Sequence, residues 1–188
     1  MLKSIFAIAV LTTGIAFAQT DVEASRLNKQ VRHELVMLPY LGVFDNLTYR
    51  LDGNNVALFG QVTRPTLKKD AERVVKRIEG VRTVDNQIEV LPLSSNDDRL
   101  RRSLYRAIYG YAPLQRYALP VLKPVRIIVK NGHVTLEGIV DREADKNLVT
   151  VRANGVHGVF SVTNNLRVEK PSLGSVPKTA PAVDSTGP

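Results

Sequence analysis

The 188-residue chain contains no cysteine, which excludes disulfide bonds as a source of its stability. The same absence removes the residue that a lipoprotein needs at its signal cleavage site. Its three histidines, His33, His133 and His157, are scattered over different predicted elements and lack the His-x-x-x-His spacing of zinc sites. We therefore expect no metal ion and no cofactor.

The chain also lacks the short motifs that accompany common catalytic sites. No serine lies in a Gly-x-Ser-x-Gly motif, and no Gly-x-Gly-x-x-Gly run is present to cradle a phosphate. Three carboxylates, Asp141, Glu143 and Asp145, cluster before a predicted helix, where acids interact favourably with the helix dipole. General acid–base catalysis would need two carboxyl groups that converge on a cleft. The sequence therefore predicts a protein that is not an enzyme.

An apolar run lies at the N-terminus. Lys3 precedes the apolar segment Ile5–Ala18, which ends in Ala16-Phe17-Ala18, an Ala-x-Ala cleavage pattern. Because the run is short for a membrane span, residues 1–18 are interpreted as a cleaved signal peptide, with a retained anchor as the alternative. This interpretation predicts a periplasmic or secreted protein without a lipid anchor.

Basic residues outnumber acidic ones, and the formal net charge is +8 at pH 7. A basic exported protein is attracted to anionic surfaces such as lipid headgroups or acidic polysaccharide. Nucleic acid is not an expected partner, because the signal peptide directs the chain away from it.

The chain contains an internal repeat. Residues 56–90 and 134–168 align without a gap at an offset of 78 positions, and the alignment pairs Asn86 with Asn164. A repeat of this length indicates two small copies of one αβ unit rather than a solenoid. Four glycines also match, and we expect them to be structural, at strand ends and helix caps that need positive φ: Gly60, Gly80, Gly138 and Gly158.

Hydrophobic periodicity predicts the same element order in both copies: helix, strand, strand, helix, strand. In the first copy, a helix through Leu27–Leu38 ends at Pro39, a second helix ends at Gly80, and strands cover Leu47–Leu51, Val56–Val62 and Val81–Val90. In the second copy, helices cover Asp98–Tyr111 and Glu143–Asn154, and strands cover Val125–Val129, Val134–Val140 and Val159–Val168. The second copy carries five extra residues within the apolar segment Tyr111–Pro124.

The repeated ending Gly-Val-x-x-Val-x-Asn-x-(Ile/Leu)-x-Val, at 80–90 and 158–168, resembles the BON domain (bacterial OsmY and nodulation). The Gly-x-Val runs at 60–62 and 138–140 belong to the same pattern. A tandem pair behind a signal peptide resembles the OsmY-like periplasmic proteins. The resemblance implies an α+β fold of two αββαβ units, each with two helices on one face of a three-stranded mixed sheet. It also implies binding at envelope membranes or stress-related chaperoning, without enzyme activity.

These patterns divide the chain into five parts. Residues 24–91 and 98–169 are the two units, joined by a linker at 92–97. The signal peptide precedes them, and residues 170–188 form a tail that is rich in Pro, Ser, Thr and Gly. We expect this tail to be disordered, because it has almost nothing to bury.

The first helix of the second copy carries arginine and tyrosine opposite its core face. Guanidinium pairs with phosphate and tyrosine suits a half-hydrated headgroup layer, so this face predicts a contact with anionic phospholipid. Two alternatives stay open: the face is ordinary solvated surface, or Tyr105 and Tyr109 pack against the first copy. The predicted lipid-binding residues are Arg101 at the boundary of the face, Arg102, Tyr105, Arg106 and Tyr109.

A secondary basic face is predicted on the second helix of the first copy, where Lys69, Arg73 and Lys76 lie opposite the core stripe. A solvated helix face is the alternative here as well. Together these features favour a non-enzymatic module that docks on anionic phospholipid of the cell envelope and supports envelope integrity. The alternative function is an osmotic-stress chaperone in the periplasm that shields unfolded client or envelope proteins.

Overall fold

The computed structural model describes residues 15–169, with side-chain environments from residue 23 onward. Most of the predicted signal peptide, residues 1–14, and the whole predicted tail, residues 170–188, lie outside the described residues. Between residues 15 and 169, no helix has both the length and the apolar character needed to span a bilayer.

The first unit consists of two helices and one mixed sheet. Strands β1 and β2 form an antiparallel hairpin, and β3 and β4 both run parallel to β2. Its elements are α1 (Ile15–Val36), β1 (Asn46–Asp52), β2 (Asn55–Val62), α2 (Pro65–Lys76), β3 (Thr83–Asn86) and β4 (Glu89–Val90).

The second unit repeats this topology with one addition, a 3₁₀ helix between its first helix and first strand. The α+β fold predicted for the tandem units is therefore confirmed. The elements are α3 (Ser95–Tyr109), the 3₁₀ helix (Ala112–Ala118), β5 (Val125–Lys130), β6 (His133–Val140), α4 (Glu143–Asn154), β7 (Ser161–Asn164) and β8 (Arg167–Val168).

Each unit has its own core between its helices and the inner face of its sheet. Alternate residues of a strand point to opposite faces, so Val56, Leu58 and Val62 of β2 meet Val31 and Leu35 of α1 in the first core. A side chain of this size contributes about 1.5–3 kcal/mol when it is fully buried. The second core repeats the arrangement with Val134, Leu136 and Val140 of β6.

The last strand of each unit is interrupted at the matched asparagine. The prediction of one continuous strand over Val81–Val90 is wrong at this point, and so is its counterpart in the second unit. Asn86 Nδ2 donates to the Lys68 carbonyl at 2.9 Å, and Asn86 Oδ1 accepts from the Ile88 N–H at 3.2 Å. Asn164 makes the equivalent bonds in the second unit. Each asparagine therefore ties the break in the strand to the neighbouring helix.

All four matched glycines have positive φ. At Gly60 and Gly138, glycine is required because the backbone of the neighbouring strand approaches closely, and not because a helix ends there. A Cβ on Gly60 would lie 2.0 Å from the Asn46 carbonyl oxygen, and one on Gly138 would lie 1.9 Å from the Pro124 carbonyl oxygen. Side chains are thus sterically forbidden there. Helix α2 ends at Lys76 with Arg77 as its cap, so Gly80 lies beyond the helix end and does not cap it as predicted.

Helix α3 begins within residues 92–97, the segment predicted as the linker, and therefore earlier than the predicted start at Asp98. Helix α3 begins at Ser95, and the Ser94 hydroxyl accepts from the Asp97 N–H at 3.2 Å as an N-cap. The Asp97 side chain is buried and accepts from the backbone N–H groups of Asn131 and Gly132, both at 2.9 Å. The start of α3 is therefore fixed to the β5–β6 turn.

The loop between α1 and β1 joins the two units. The Ile127 N–H of β5 donates to the Val43 carbonyl at 2.9 Å, and the Arg126 guanidinium donates to the Gly42 carbonyl at 2.7 Å. Val43 and Phe44 also pack against the second core. The first unit thus adds a short extended segment to the edge of the second sheet.

Candidate functional site

Helix α3 is amphipathic and presents a basic, aromatic face to solvent. Its core side is formed by Leu100, Leu104 and Ile108, each 4% exposed or less. Arg102 and Arg106, on the other side, are exposed and form no ion pair with a carboxylate anywhere in the part of the chain that the structure describes. These two guanidinium groups are therefore available to an anion from outside.

Two of the five predicted lipid-binding residues do not lie on the surface. Arg101 is 5% exposed and donates to the Val129 carbonyl at 2.7 Å and to Asp98 at 2.6 Å. Tyr109 is 4% exposed and its hydroxyl donates to the Val125 carbonyl. Burial raises the pKa of Tyr109 well above its usual range. The prediction that Tyr109 lies on the solvent face, with Arg101 at its boundary, is wrong for both side chains, because strand β5 covers this flank of the helix.

Tyr105 lies at the border between surface and interface. It is 36% exposed, and its ring meets Phe44 of the first unit edge to face, with centroids 6.4 Å apart. On the other side it packs against Tyr109, with centroids 5.0 Å apart. Of the two tyrosines in the alternative prediction, Tyr105 thus contacts the first unit while keeping one side open to solvent, and Tyr109 is fixed to its own unit.

A shallow depression of about 350 Å³ lies where the loop between α1 and β1 meets helix α3. Its walls are almost wholly apolar, although two of its side chains are arginines, because their methylene stems line it. An adjoining depression shares Phe44 and Arg102 and extends to Arg64 and to Leu93, which is 96% exposed. We call this continuous area the junction surface; it is lined by Val43, Phe44, Arg64, Leu93, Arg102, Tyr105 and Arg106.

Four of the seven residues of the junction surface come from outside helix α3 and were not predicted. Phe44 and Arg64 belong to the first unit, and Arg64 lies over the ring of Tyr40 at 5.0 Å. Tyr40 is itself 74% exposed. The available signal was the run Met37–Phe44, which is apolar and aromatic although it connects a helix to a strand. Its contact with the second unit depends on chain folding that helical periodicity does not encode.

The secondary basic face of α2 is exposed but partly neutralised. Arg73 pairs with Asp70 at 2.5 Å, and Lys76 pairs with Glu72 at 2.6 Å. The hydrogen bond from Lys76 lowers the pKa of the Glu72 carboxyl. Lys69 forms no ion pair within the described range, so it is the free cation of the three predicted residues. This face therefore offers less net charge to an anionic surface than its sequence indicates.

The extra segment of the second unit packs onto helix α4. Within the 3₁₀ helix, Leu114 and Tyr117 are buried, at 0% and 5% exposed. The Tyr117 hydroxyl donates to Asp145 at 2.8 Å and accepts from the Asp141 N–H at 2.9 Å, while Arg116 pairs with both aspartates. The aspartates predicted to serve the helix dipole thus also hold this segment, and burial raises the pKa of Tyr117.

The histidines lie on different elements: His33 is in α1, His133 is in β6, and His157 lies beyond the end of α4. His133 Nδ1 lies 2.7 Å from the Ser161 hydroxyl, which is a surface contact. Among residues 15–169, no group of three or more histidine, aspartate or glutamate side chains is arranged to hold a metal ion.

Comparison with known proteins gives a family match over most of the chain. The model of the BON domain matches residues 23–92 and again residues 97–170. A search of curated proteins gives no match. Among solved structures, CdsD, a structural protein of the type III secretion system of Chlamydia trachomatis, is 11% identical, with a TM-score of 0.29 over 75% of this chain and 91% of that chain. The C-terminal domain of CdsD is 15% identical, with a TM-score of 0.27 over 77% of this chain and 98% of that chain.

Proposed function

We propose that this chain, which belongs to the BON domain family, is a non-enzymatic module that docks on anionic phospholipid of the bacterial cell envelope. BON domains are known for phospholipid binding in envelope and osmotic-stress proteins, occur in periplasmic proteins, and are generally non-catalytic. We propose further that docking takes place in the periplasm, on the junction surface, and that it supports the integrity of the envelope.

The observation that carries this proposal is the pair of unpaired arginines, Arg102 and Arg106, that flank Tyr105 on helix α3. Guanidinium groups form charge-assisted hydrogen bonds to phosphate oxygens. Tyrosine favours the boundary between headgroups and water, because its ring is apolar and its hydroxyl is polar. Each basic side chain near an anionic membrane contributes about 1 kcal/mol, so this surface supports weak docking that depends on salt.

Apolar side chains beside the arginines add a second kind of contact. Leu93 is almost fully exposed, and the ring of Phe44 lines the depression next to Tyr105. When arginine heads bind phosphate, these groups lie at the depth of the headgroup boundary, where removal from water stabilises the bound state. Because Phe44 and Tyr105 come from different units, docking in this orientation requires both units.

The proposal is tested by co-sedimentation of the purified protein with anionic and neutral vesicles at low and high salt. We expect binding to anionic vesicles only, and loss of that binding at high salt through charge screening. Arg102→Glu with Arg106→Glu should abolish binding. The matched control is Lys29→Glu with Arg32→Glu, which makes the same change in charge at two exposed positions of helix α1. If both variants lose binding equally, general charge attraction explains the binding and the site assignment is wrong.

The alternative function, a chaperone for unfolded client proteins, is favoured by exposed apolar side chains elsewhere on the molecule. Met37 is 66% exposed and Leu119 is 80% exposed, and such groups can bind apolar segments of a client. This function predicts that the protein suppresses aggregation of several unfolded clients without any lipid. If the protein binds anionic vesicles but fails to protect these clients, the chaperone function is excluded and membrane docking remains as the function.

A further inference from the structure

The contact between the two units is asymmetric, because each unit contributes a different part of its structure. The first unit contributes a loop, through the Val43 carbonyl, and an acid, Glu89. The second unit contributes the edge of its sheet, through the Ile127 N–H, and a base, Lys130, which pairs with Glu89. One unit thus supplies the loop side of the contact and the other supplies the edge side.

Each unit also has a second surface that matches the other side of this contact: the first unit has a strand edge like that of the second, and the second unit has a loop like that of the first. The strand registers match Ile127 with Tyr49, and the close approaches of Asn46 to Gly60 and of Pro124 to Gly138 extend the offset of 78 back to Asn46 and Pro124. Three residues before these positions lie Val43 in the first unit and Val121 in the second. Val121 is 97% exposed. Strand β1, which contains Tyr49, ends the strand order of its sheet and pairs with β2 alone among the described strands. Among the described residues, the second unit therefore has an unoccupied loop side and the first unit has an unoccupied edge side.

The backbone of the free edge has the geometry of the occupied one. Tyr49 lies opposite Leu58 in the first sheet, as Ile127 lies opposite Leu136 in the second. In an antiparallel pair, the N–H of every second residue points away from the partner strand. Because the Ile127 N–H points outward to Val43, the Tyr49 N–H at the same register points outward as well. It is placed to donate to a carbonyl of an added segment.

The charges at the two free sides are complementary, with the signs exchanged. Glu89 corresponds to Arg167, and Lys130 corresponds to Asp52. Arg167 and Asp52 are exposed, and neither forms an ion pair in the described part of the chain. The pair Glu89–Lys130 within the chain would thus be matched by Arg167–Asp52 between chains.

Because the charges at Asp52 and Arg167 are opposite to those at Lys130 and Glu89, they favour contact between a first unit and a second unit over contact between two identical units. If the loop side of a first unit met the edge of another first unit, Glu89 would face Asp52, and like charges repel. If the loop side of a second unit met the edge of another second unit, Arg167 would face Lys130. A second position follows the same rule, because Leu91 and Ile128, which line one cavity at the contact, correspond to Glu169 and Arg50.

We propose that a second copy of this chain docks on the free edge of β1, with the loop of its second unit around Val121 and with its Arg167 on Asp52. The contact is head to tail, so it closes into a ring or extends into a filament according to the rotation that each step imposes. It goes beyond the membrane docking proposed above and leaves Arg102 and Arg106 of helix α3 free. The exposed Leu119 and Val121 are buried by this contact.

Cross-linking tests the geometry directly, because the chain has no cysteine of its own. We would make the variant Asp52→Cys with Arg167→Cys and treat the purified protein with a short bis-maleimide reagent. We expect covalent dimers and larger species from the double variant, and monomers from each single-cysteine variant, since neither position faces its own copy. A double variant that yields only monomers overturns the proposal, and so do single variants that cross-link equally well.

A charge exchange tests the specificity by sedimentation velocity over a range of protein concentrations. Asp52→Arg and Arg167→Asp should each weaken self-association by about threefold or more, as expected for an exposed ion pair that becomes repulsive. The variant that carries both substitutions should regain the association of the original protein. The proposal is overturned if the original protein stays monomeric at all concentrations, or if the combined variant does not recover.

Discussion

The ring of Phe44 meets the ring of Tyr105 edge to face, with centroids 6.4 Å apart and planes at 67°, and the two residues belong to different units. Aromatic pairs of this geometry contribute about 0.5–1.5 kcal/mol beyond the area that they bury. The pair therefore helps to set the position of helix α3 relative to the first unit, and with it the spacing of the groups on the junction surface.

Replacement of Phe44 by alanine should weaken both the contact between the units and the docking on vesicles. We expect the free energy of unfolding to fall by about 1–2 kcal/mol, less than for a fully buried phenylalanine, because Phe44 is partly exposed. Urea unfolding measures this change. Phe160→Ala is the control, since Phe160 is 75% exposed and its loss should change stability by no more than about 0.5 kcal/mol. Equal losses in both variants would contradict the role assigned to Phe44.

Asp97→Ala should destabilise the second unit by about 2–3 kcal/mol, because two N–H groups of the β5–β6 turn lose their acceptor and the one on Gly132 is buried. Asp97→Asn should cost less, since one side-chain oxygen remains. Chemical denaturation measures both, with Glu79→Ala on the exposed surface as the reference. If Asp97→Ala is as stable as that reference, the turn does not depend on the carboxylate.

Alanine substitutions at two glycines distinguish the energetic cost of a steric clash from the cost of an unfavourable backbone φ. Gly60→Ala places a Cβ 2.0 Å from the Asn46 carbonyl oxygen, whereas Gly53→Ala meets no atom within 4 Å although its φ is also positive. We expect Gly53→Ala to cost about 1 kcal/mol and Gly60→Ala to cost about 3 kcal/mol or more. Thermal unfolding of the two variants provides the comparison. Similar losses would show that the β1–β2 hairpin relaxes around the added methyl group.

The stability of the protein should fall at alkaline pH. Burial raises the folded-state pKa of Tyr109 above the unfolded value of about 10. Its contribution to stability is therefore fully present below that pH and is lost as the pH rises through the folded-state pKa. The pKa values of Tyr117 and Tyr49 are raised for the same reason. Tyr109→Phe should reduce the alkaline loss without removing it, as measured by denaturation at several pH values; profiles that run parallel would contradict the assignment.

The repeat made most of the fold predictable, because two copies of one pattern constrain each other. The predicted bounds of helix α4 agree with the structure at both ends. The interruption of the last strand was not predictable from periodicity, since Val81, Val84 and Val90 fit a continuous strand. The signal was the matched pair Asn86 and Asn164, whose side chains bond to a carbonyl of the neighbouring helix and to the first N–H groups beyond the break.

The candidate site was predictable in part, because a helical projection gives the direction of a side chain but not what lies beside the helix. The projection placed Arg102 and Arg106 correctly on the exposed side. It also placed Tyr109 there and Arg101 at the boundary, because nothing in the sequence shows that strand β5 supplies carbonyl acceptors to both. Long-range packing of this kind decides which boundary residues of a helix are available to a ligand.

The segment Val43–Phe44 has a protective consequence for strand β5. That strand reads Val125-Arg126-Ile127-Ile128-Val129-Lys130, and an apolar strand at the edge of a sheet is a template for aggregation. The first unit occupies part of this edge through Val43, and Ile128 on the outer face of the sheet is 4% exposed. Separation of the two units would expose both, so the short connection through Pro92 and Leu93 helps to keep this apolar edge covered.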